Sequence, residues 1–556
     1  IYSLKITIII MSHSSSVFSR VPIDLPNRSG FDCSHENVGT GTCGTLIPVL
    51  VDELLPNDTI SLGSALQCQL PPMVTDFYGR VDFVLEAFFV PNRLLWGGWS
   101  NFMTHPTSKP QYPAGTLAEG KSRYLPKYRL TTSNGATDGS SGVNSFAAGS
   151  LADYLGYRSS GGQLDGVEVN SLPFLAYHRI YDDWYRDSRI QAPVFYKPQY
   201  VDINTLSLTP YSSAFIPSLS GGEDYPIVID DSDRGDANAN QSLLGDGVSL
   251  GSLRQRNWAK DYFTTASTLP QAGEPATLTF SVEGNEGSFS IAALRSANSL
   301  QKWLERNNIM GYRYSDQIYG QFGIYPSDAI MDRPIYLGRS VQNVYTRSVF
   351  QHAGNAEGSN PLSGVGTKYG SSQAVGEGSL IDEIRVTEHG YLMVLASIVP
   401  HAYYGTGVRR HLRREVVGDF AFPMLSGMGD QSIRVSELTD NYTFDSTFGY
   451  TDLYAEYKYH DDEVHGLLRD GNNLESYALQ RTFDEVPQLG SEFLQIPKDF
   501  LKQVLAVPSE TTGFDYWYDI YFPYKKVSTL PQYSLPTLGD LKNVHKEEVS
   551  RGGKRL

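Results

Sequence analysis

The sequence predicts a mainly β chain, an antiparallel sheet sandwich with long loop insertions and a few short helices. Three observations carry that expectation. Turn formers and sheet-favouring aromatics are abundant, with 52 Gly, 30 Pro, 36 Tyr and 25 Phe among 556 residues, of which only 19% are charged. Short extended runs recur, separated by Gly, Pro, Asn and Asp clusters. Their succession is strand after strand, without the regular alternation with helices of a parallel sheet.

Taken in order, residues 1–18 read as an N-terminal extension. The apolar run near its start is too short to cross a membrane and lacks a small-residue cleavage site, and Met11 before SHSSS reads as the initiator. A product made and used in a cytoplasm, without membrane insertion, is the expectation. Gly39–Gly44, GTGTCG, satisfies a dinucleotide-binding spacing, but Pro48 forbids the helix that must follow, so it reads as a turn before a strand. RVDFVLEAFFV, residues 80–90, places Val81, Phe83, Leu85, Ala87 and Phe89 on one side of an extended chain, as a half-buried strand requires. IDEIRV (381–386), GYLMVLASIV (390–399), DLYAEYKY (452–459) and DYWYDIYF (515–522) read as further strands.

Two segments read as helices. Ser171 caps the first, Pro173 stands in its first turn, and Phe174, Tyr177, Tyr181, Trp184 and Tyr185 share one face. The second begins near Ser290 and carries Leu300, Trp303 and Leu304 before Gly311. Residues 105–170 and 204–250, rich in Gly, Ser, Asn, Asp and Pro, read as insertions within a single domain spanning 19–541, and 542–556 as a basic C-terminal tail.

Chemistry-bearing motifs fare poorly. Gly115–Ser122, GTLAEGKS, matches the phosphate-loop spacing, but three prolines precede it and Pro126 follows, where a strand and a helix are needed. The string reads as an accident, and a P-loop ATPase using Lys121 and an aspartate of PIVIDD (226–231) as the alternative. Asp230–Asn240 reads as an acidic loop tip, and His460 with His465 as surface polar residues. Cys33, Cys43 and Cys68 have neither disulfide nor zinc spacing and read as buried free thiols. No nucleophile is placed beside a base, so no catalytic residue, metal or cofactor is expected.

The net charge of −16 excludes a chain that grips nucleic acid over its whole surface. Two local basic groups remain: Arg409, Arg410, Arg413 and Arg414 in RRHLRR, and Lys546, Arg551, Lys554 and Arg555 in the tail. Either could face DNA phosphates, or form solvated or inter-subunit ion pairs.

Whole phrases add a resemblance. SRVPIDLPNRSGFDCSHENVGTGTCGTLIPVLVDELLPND, FFVPNRLLWGGWSNFMT, SLADYLGY, LPFLAYHRIYDDWYRD, LRQRNWAKDYFTTA, LQKWLERN, EHGYLMVLASIVP, FGYTDLYAEYKY and PQYSLPTLGDL occur in that order between residues 19 and 541. In this they resemble the major capsid proteins of the Microviridae, particularly the gokushovirus-like branch. The resemblance implies an eight-stranded antiparallel viral jelly roll, sixty copies of which form a T=1 icosahedral shell around circular single-stranded DNA. It implies partners too: the chain itself, the packaged DNA, minor virion or scaffolding proteins and a host receptor. Trp96, Trp99, Trp184, Tyr185 and Trp258 are then candidate subunit contacts, with a place in the core as their other reading. Members of that branch carry a long insertion between the DYFT and LQKWLER phrases that forms a threefold protrusion. Here only AGEPATLTFSVEGNEGSFS, residues 272–290, lies between, so neither the protrusion nor host attachment through it is carried over. A secreted ligand-binding β-sandwich is the remaining alternative.

Overall fold

A computed structural model describes residues 28–96, 125–130, 146–157, 167–194, 250–270, 291–310, 313–350, 368–439, 446–506 and 513–532, with a few single positions added or excepted. The chain is mainly β and antiparallel. Its first strands are β1 (Ser29–Asp32), β2 (His35–Gly41), β3 (Ile47–Leu54), β4 (Thr59–Gln69) and β5 (Val81–Pro91). The short β6 (Lys127–Arg129), β7 (Glu168–Asn170) and β8 (Val228–Ile229) make a small separate sheet. There follow β9 (Ile335–Asn343), β10 (Tyr345–Phe350), β11 (Lys368–Arg385), β12 (Gly390–Pro400), β13 (Asp430–Arg434), β14 (Thr447–Asp452), β15 (Tyr516–Phe522) and β16 (Tyr524–Ser528).

Two sheets make the sandwich. One runs β3-β12-β5-β9; the other has seven strands, β1-β16-β4-β11-β10 with β15 and β2 alongside. In the larger sheet β15 and β16 share one partner: Tyr524–Val527 pair with the first half of β4 and Trp517–Tyr521 with the second. Pro523, which has no N–H to give a ladder, separates them. The arrangement is consistent with a jelly-roll capsid fold. It departs from an eight-stranded barrel because the described strands divide seven and four and do not close into a barrel.

The apolar pattern of each strand follows from how many dry faces its sheet has. Between the sheets lie Ile60, Leu62, Leu66 and Cys68 of β4, Phe83, Leu85 and Ala87 of β5, Val394 and Ala396 of β12, and Tyr518, Ile520 and Phe522. The outer face of the larger sheet is wet, so β15 alternates strictly between buried and exposed. The outer face of the smaller sheet is covered by a second cluster, in which Phe88 and Val90 of β5 and Tyr391, Met393 and Leu395 of β12 meet Trp96, Tyr128, Leu151 and the helix described next. Every residue of β5 and β12 is consequently buried. The expectation of a half-buried strand at 80–90 is thus corrected: period two chose the inner face properly, but loop insertions also dry the outer one.

Three helices longer than five residues are described: α1 (Leu172–Ile180), α2 (Ile291–Met310) and α3 (Tyr314–Phe322). Ser171 occupies the cap position of α1 without capping through its side chain, since its hydroxyl donates to Pro126 O at 2.7 Å. Asn170 Oδ1 instead accepts from Leu172 N at 3.0 Å. The helix then widens into a π turn over Tyr181–Tyr185, closed by Arg186 N donating to Tyr181 O. DLYAEYKY is not a strand. Pairing ends at Asp452, where β14 leaves β13, and Tyr454 at φ +62° turns the chain into a 3-10 turn at Ala455–Tyr457.

Two of the close approaches in the sandwich show why glycine stands where it does. At Gly44, φ is +67° and a Cβ would lie 2.6 Å from the Ile496 side chain, which explains the tight turn in GTGTCG before β3. At Gly338 a Cβ would lie 1.9 Å from Leu380 O. Here β9 of the smaller sheet comes against β11 of the larger one, so a bare backbone brings the two sheets together.

Candidate functional site

The RRHLRR segment forms a 3-10 turn at Arg410–Arg413, on a loop packed against β13 and the Tyr454–Tyr457 region. Each of its four guanidinium groups has a partner in its own chain. Arg409 pairs with Glu463; Arg410 donates to Ser432 O and lies 3.6 Å from Glu437; Arg413 donates to Ser436 Oγ. Arg414 pairs with Glu456 at 3.2 Å and is sandwiched by Tyr457, at 4.5 Å, and Phe420, at 5.3 Å. These carboxylates lie tens of residues away in the sequence, so the fold alone brings them to the arginines.

Beside this segment is a small acidic pocket containing Asp461, His460, Glu437 and Tyr404. Burial, together with Asp261, Glu463 and Glu437, pushes the Asp461 carboxyl up to about 7, while Arg409 opposes. Its Oδ1 is enclosed without a hydrogen-bond partner. Because the folded value is raised above 3.8, the folded state holds the Asp461 proton between about pH 4 and 7 and the unfolded state does not. Stability is therefore present below that window and lost as pH rises through it. Asp461→Asn should unfold at higher temperature than the parent at about pH 8, with the advantage gone by about pH 4. Equal melting temperatures at the higher pH would contradict this.

The five aromatic candidates lie against their own chain. Trp96 is fully buried, and Trp99 packs edge-on to His389 at 5.8 Å. Trp184 donates to Pro334 O at 3.0 Å, with the Arg333 guanidinium 4.5 Å from its ring. Tyr185 donates to Glu86 Oε2 at 2.6 Å, and burial followed by that carboxylate raises its phenol well above the usual value. Trp258 meets Phe500 edge-on at 4.9 Å.

Two enclosed arginines are among the residues that escaped sequence reasoning. Arg256 Nη1 lies 2.7 Å from Glu86 Oε2, and the guanidinium stands over the Tyr185 ring at 5.2 Å. Arg481 lies 4.2 Å from the Phe493 ring and 4.9 Å from that of Trp258, and donates to Phe493 O and Tyr404 Oη. For the first a signal existed: Glu86, an acid inside the apolar run FVLEAFFV, demands a buried cation. For Arg481 there was none, because its cage joins distant loops.

Gly115–Ser122 with Lys121, Asp230–Asn240, residues 272–290, and Lys546, Arg551, Lys554 and Arg555 lie outside the described residues. His465 pairs with Glu463 at 3.0 Å, and among the described residues no three metal-ligating side chains gather. All three cysteines are free thiols; Cys43 and Cys68 are buried as expected, but Cys33 is only partly so.

A sheet sandwich dry on three of its four faces, in which the RRHLRR arginines and the five candidate rings pack against their own chain, is consistent with a structural coat protein. The chain belongs to the family described as capsid protein (F protein), which it matches over residues 19–538. It is 27% identical to capsid protein VP1 of Chlamydia phage 1, over 94% of this chain and 97% of that one. It is also 24% identical to capsid protein VP1 of Bdellovibrio phage phiMH2K, over 94% and 98%, and 22% to that of Spiroplasma virus 4, over 92% and 95%. The chain is thus a structural major capsid protein of the kind found in Microviridae-like phages, and nothing in these matches favours an ATPase or a secreted binding module.

Proposed function

We propose that sixty copies of this chain close into a T=1 icosahedral shell around circular single-stranded DNA, and that the chain catalyses no reaction. The observation that carries this reading is the capsid-family match along residues 19–538. Symmetry supplies the mechanism: one modest interface, repeated and closed, gives a stable container from individually weak contacts.

With a chain of net charge −16, contact with the genome has to be local. Lys546, Arg551, Lys554 and Arg555 are proposed as the groups that meet phosphate. Arg409, Arg410, Arg413 and Arg414 already share their charge with the partners described above, which makes them weaker candidates. Minor virion or scaffolding proteins and a host receptor complete the proposed partners, with assembly in the host bacterial cytoplasm. No described helix is long and apolar enough to cross a membrane.

Native mass spectrometry of particles from a productive infection tests the copy number. Sixty chains of 61.6 kDa amount to about 3.7 MDa of protein shell before genome and minor proteins. Particles whose mass requires a different number of copies would overturn the T=1 reading.

A further inference from the structure

We propose that the α2–α3 hairpin and the segment after it form a docking face for a second copy of this chain. The inference rests on the capsid reading above and adds to it which surface makes a contact. Helices draw most of their stability from tertiary packing of an apolar face. Yet α3 has no buried residue, and neither has α2 among its described side chains. The pair is held where Arg313 donates to Asp182 O and to Arg186 O at the end of the π turn, and where Arg333 donates to Ser315 Oγ.

Beside its charged residues, the hairpin shows large apolar groups to solvent. Trp303 on α2 and Tyr314 and Phe322 on α3 are exposed, and Ile324, Tyr325 and Ile330 continue the surface, Phe322, Tyr325 and Ile330 each at 75% exposure or more. Tyr319 stacks on Tyr325 at 4.0 Å, which holds the segment after α3 against the helix. With side-chain areas of about 150–250 Å², the exposed parts of these rings and aliphatic groups amount to roughly 600–1,000 Å². That is beyond the patch a monomer ordinarily leaves wet, and it matches the roughly 800 Å² each partner contributes to a standard interface.

Charge selects the occupant. Along α2 the exposed Arg295, Lys302 and Arg306 stand against Glu305, a local cationic excess in a chain whose total is −16. The acidic body of another copy is therefore complementary to it, whereas a second hairpin would repel it. The contact is thus between unlike surfaces, the kind that closes rings around a symmetry axis.

Two measurements test this. In the double variant Trp303→Ser, Phe322→Ser, thermal unfolding should stay close to the parent because neither ring is buried, while the yield of closed particles should fall at least about tenfold. Independently, Lys302 in purified parent particles should cross-link to acidic residues of another copy, distinguished by mixing isotopically labelled and unlabelled chains. Cross-links from Lys302 to a different virion protein, or parental particle yield from the variant, would overturn the proposal while leaving the capsid reading intact. Absence of this chain from purified particles would instead sink the capsid reading itself.

Discussion

Arg256→Ala should destabilise the folded chain by about 3–5 kcal/mol, because it leaves the Glu86 carboxylate enclosed without its principal cation. Glu86 sits in the middle of β5, and its side chain and that of Arg256 are only 11% and 15% exposed. The guanidinium also donates to Ser397 Oγ at 3.1 Å, and the backbone of Arg256 is fixed by bonds to Gly44 O and from Ile496 N. The side chain therefore sits at a junction of β5, β12 and two loops. Arg339, 3.6 Å away and more exposed, is too poorly placed to replace it. The double variant Glu86→Met, Arg256→Met should recover most of the loss, since apolar groups of similar volume carry no desolvation cost. Denaturant titration of all variants checks both statements; a loss below about 1 kcal/mol for Arg256→Ala would contradict the account of that pair.

Phe83→Ala should cost about 3–5 kcal/mol. Phe83 is fully buried between the sheets and meets the rings of Tyr516 and Tyr518 at 5.9 and 6.3 Å, so one side chain of the smaller sheet is held by two of the larger. Removing the ring leaves a cavity that neither rigid ladder can close, whereas Phe83→Leu fills most of it and should cost well under half as much. Equilibrium unfolding compares them. If the alanine variant loses no more than the leucine variant, the sheets are not locked together at this point.

The strands legible in the sequence were those whose environment is simple. GYLMVLASIV and DYWYDIYF gave themselves away, the first because both faces of its sheet are dry, the second because one face is wet. The first two thirds of β11, KYGSSQAVGEGS, was invisible because its small residues answer to β9 of the facing sheet: a Cβ at Gly376 would strike Gln342, and one at Gly378 Ser340. DLYAEYKY misled because alternating aromatics imitate a strand, while the left-handed turn at Tyr454 leaves no trace in composition.

The candidate site was legible only as an inventory. RRHLRR advertised cations, but Glu437, Glu456 and Glu463 could not be assigned to them before folding. Large rings were sought at subunit contacts in Trp96 and Trp258, which are core residues, while Leu300 and Trp303, read as the ordinary apolar face of a helix, are about half exposed. Period and spacing reveal that a face is apolar, not what covers it.

The central claim is that identical copies of this sandwich tile a closed container. A cryo-electron microscopy reconstruction of virions tests it most directly. The account predicts icosahedral symmetry with one such chain per asymmetric unit, its two sheets disposed as described here. Virions whose shell density is filled by a different chain, with this one absent from it, would contradict it.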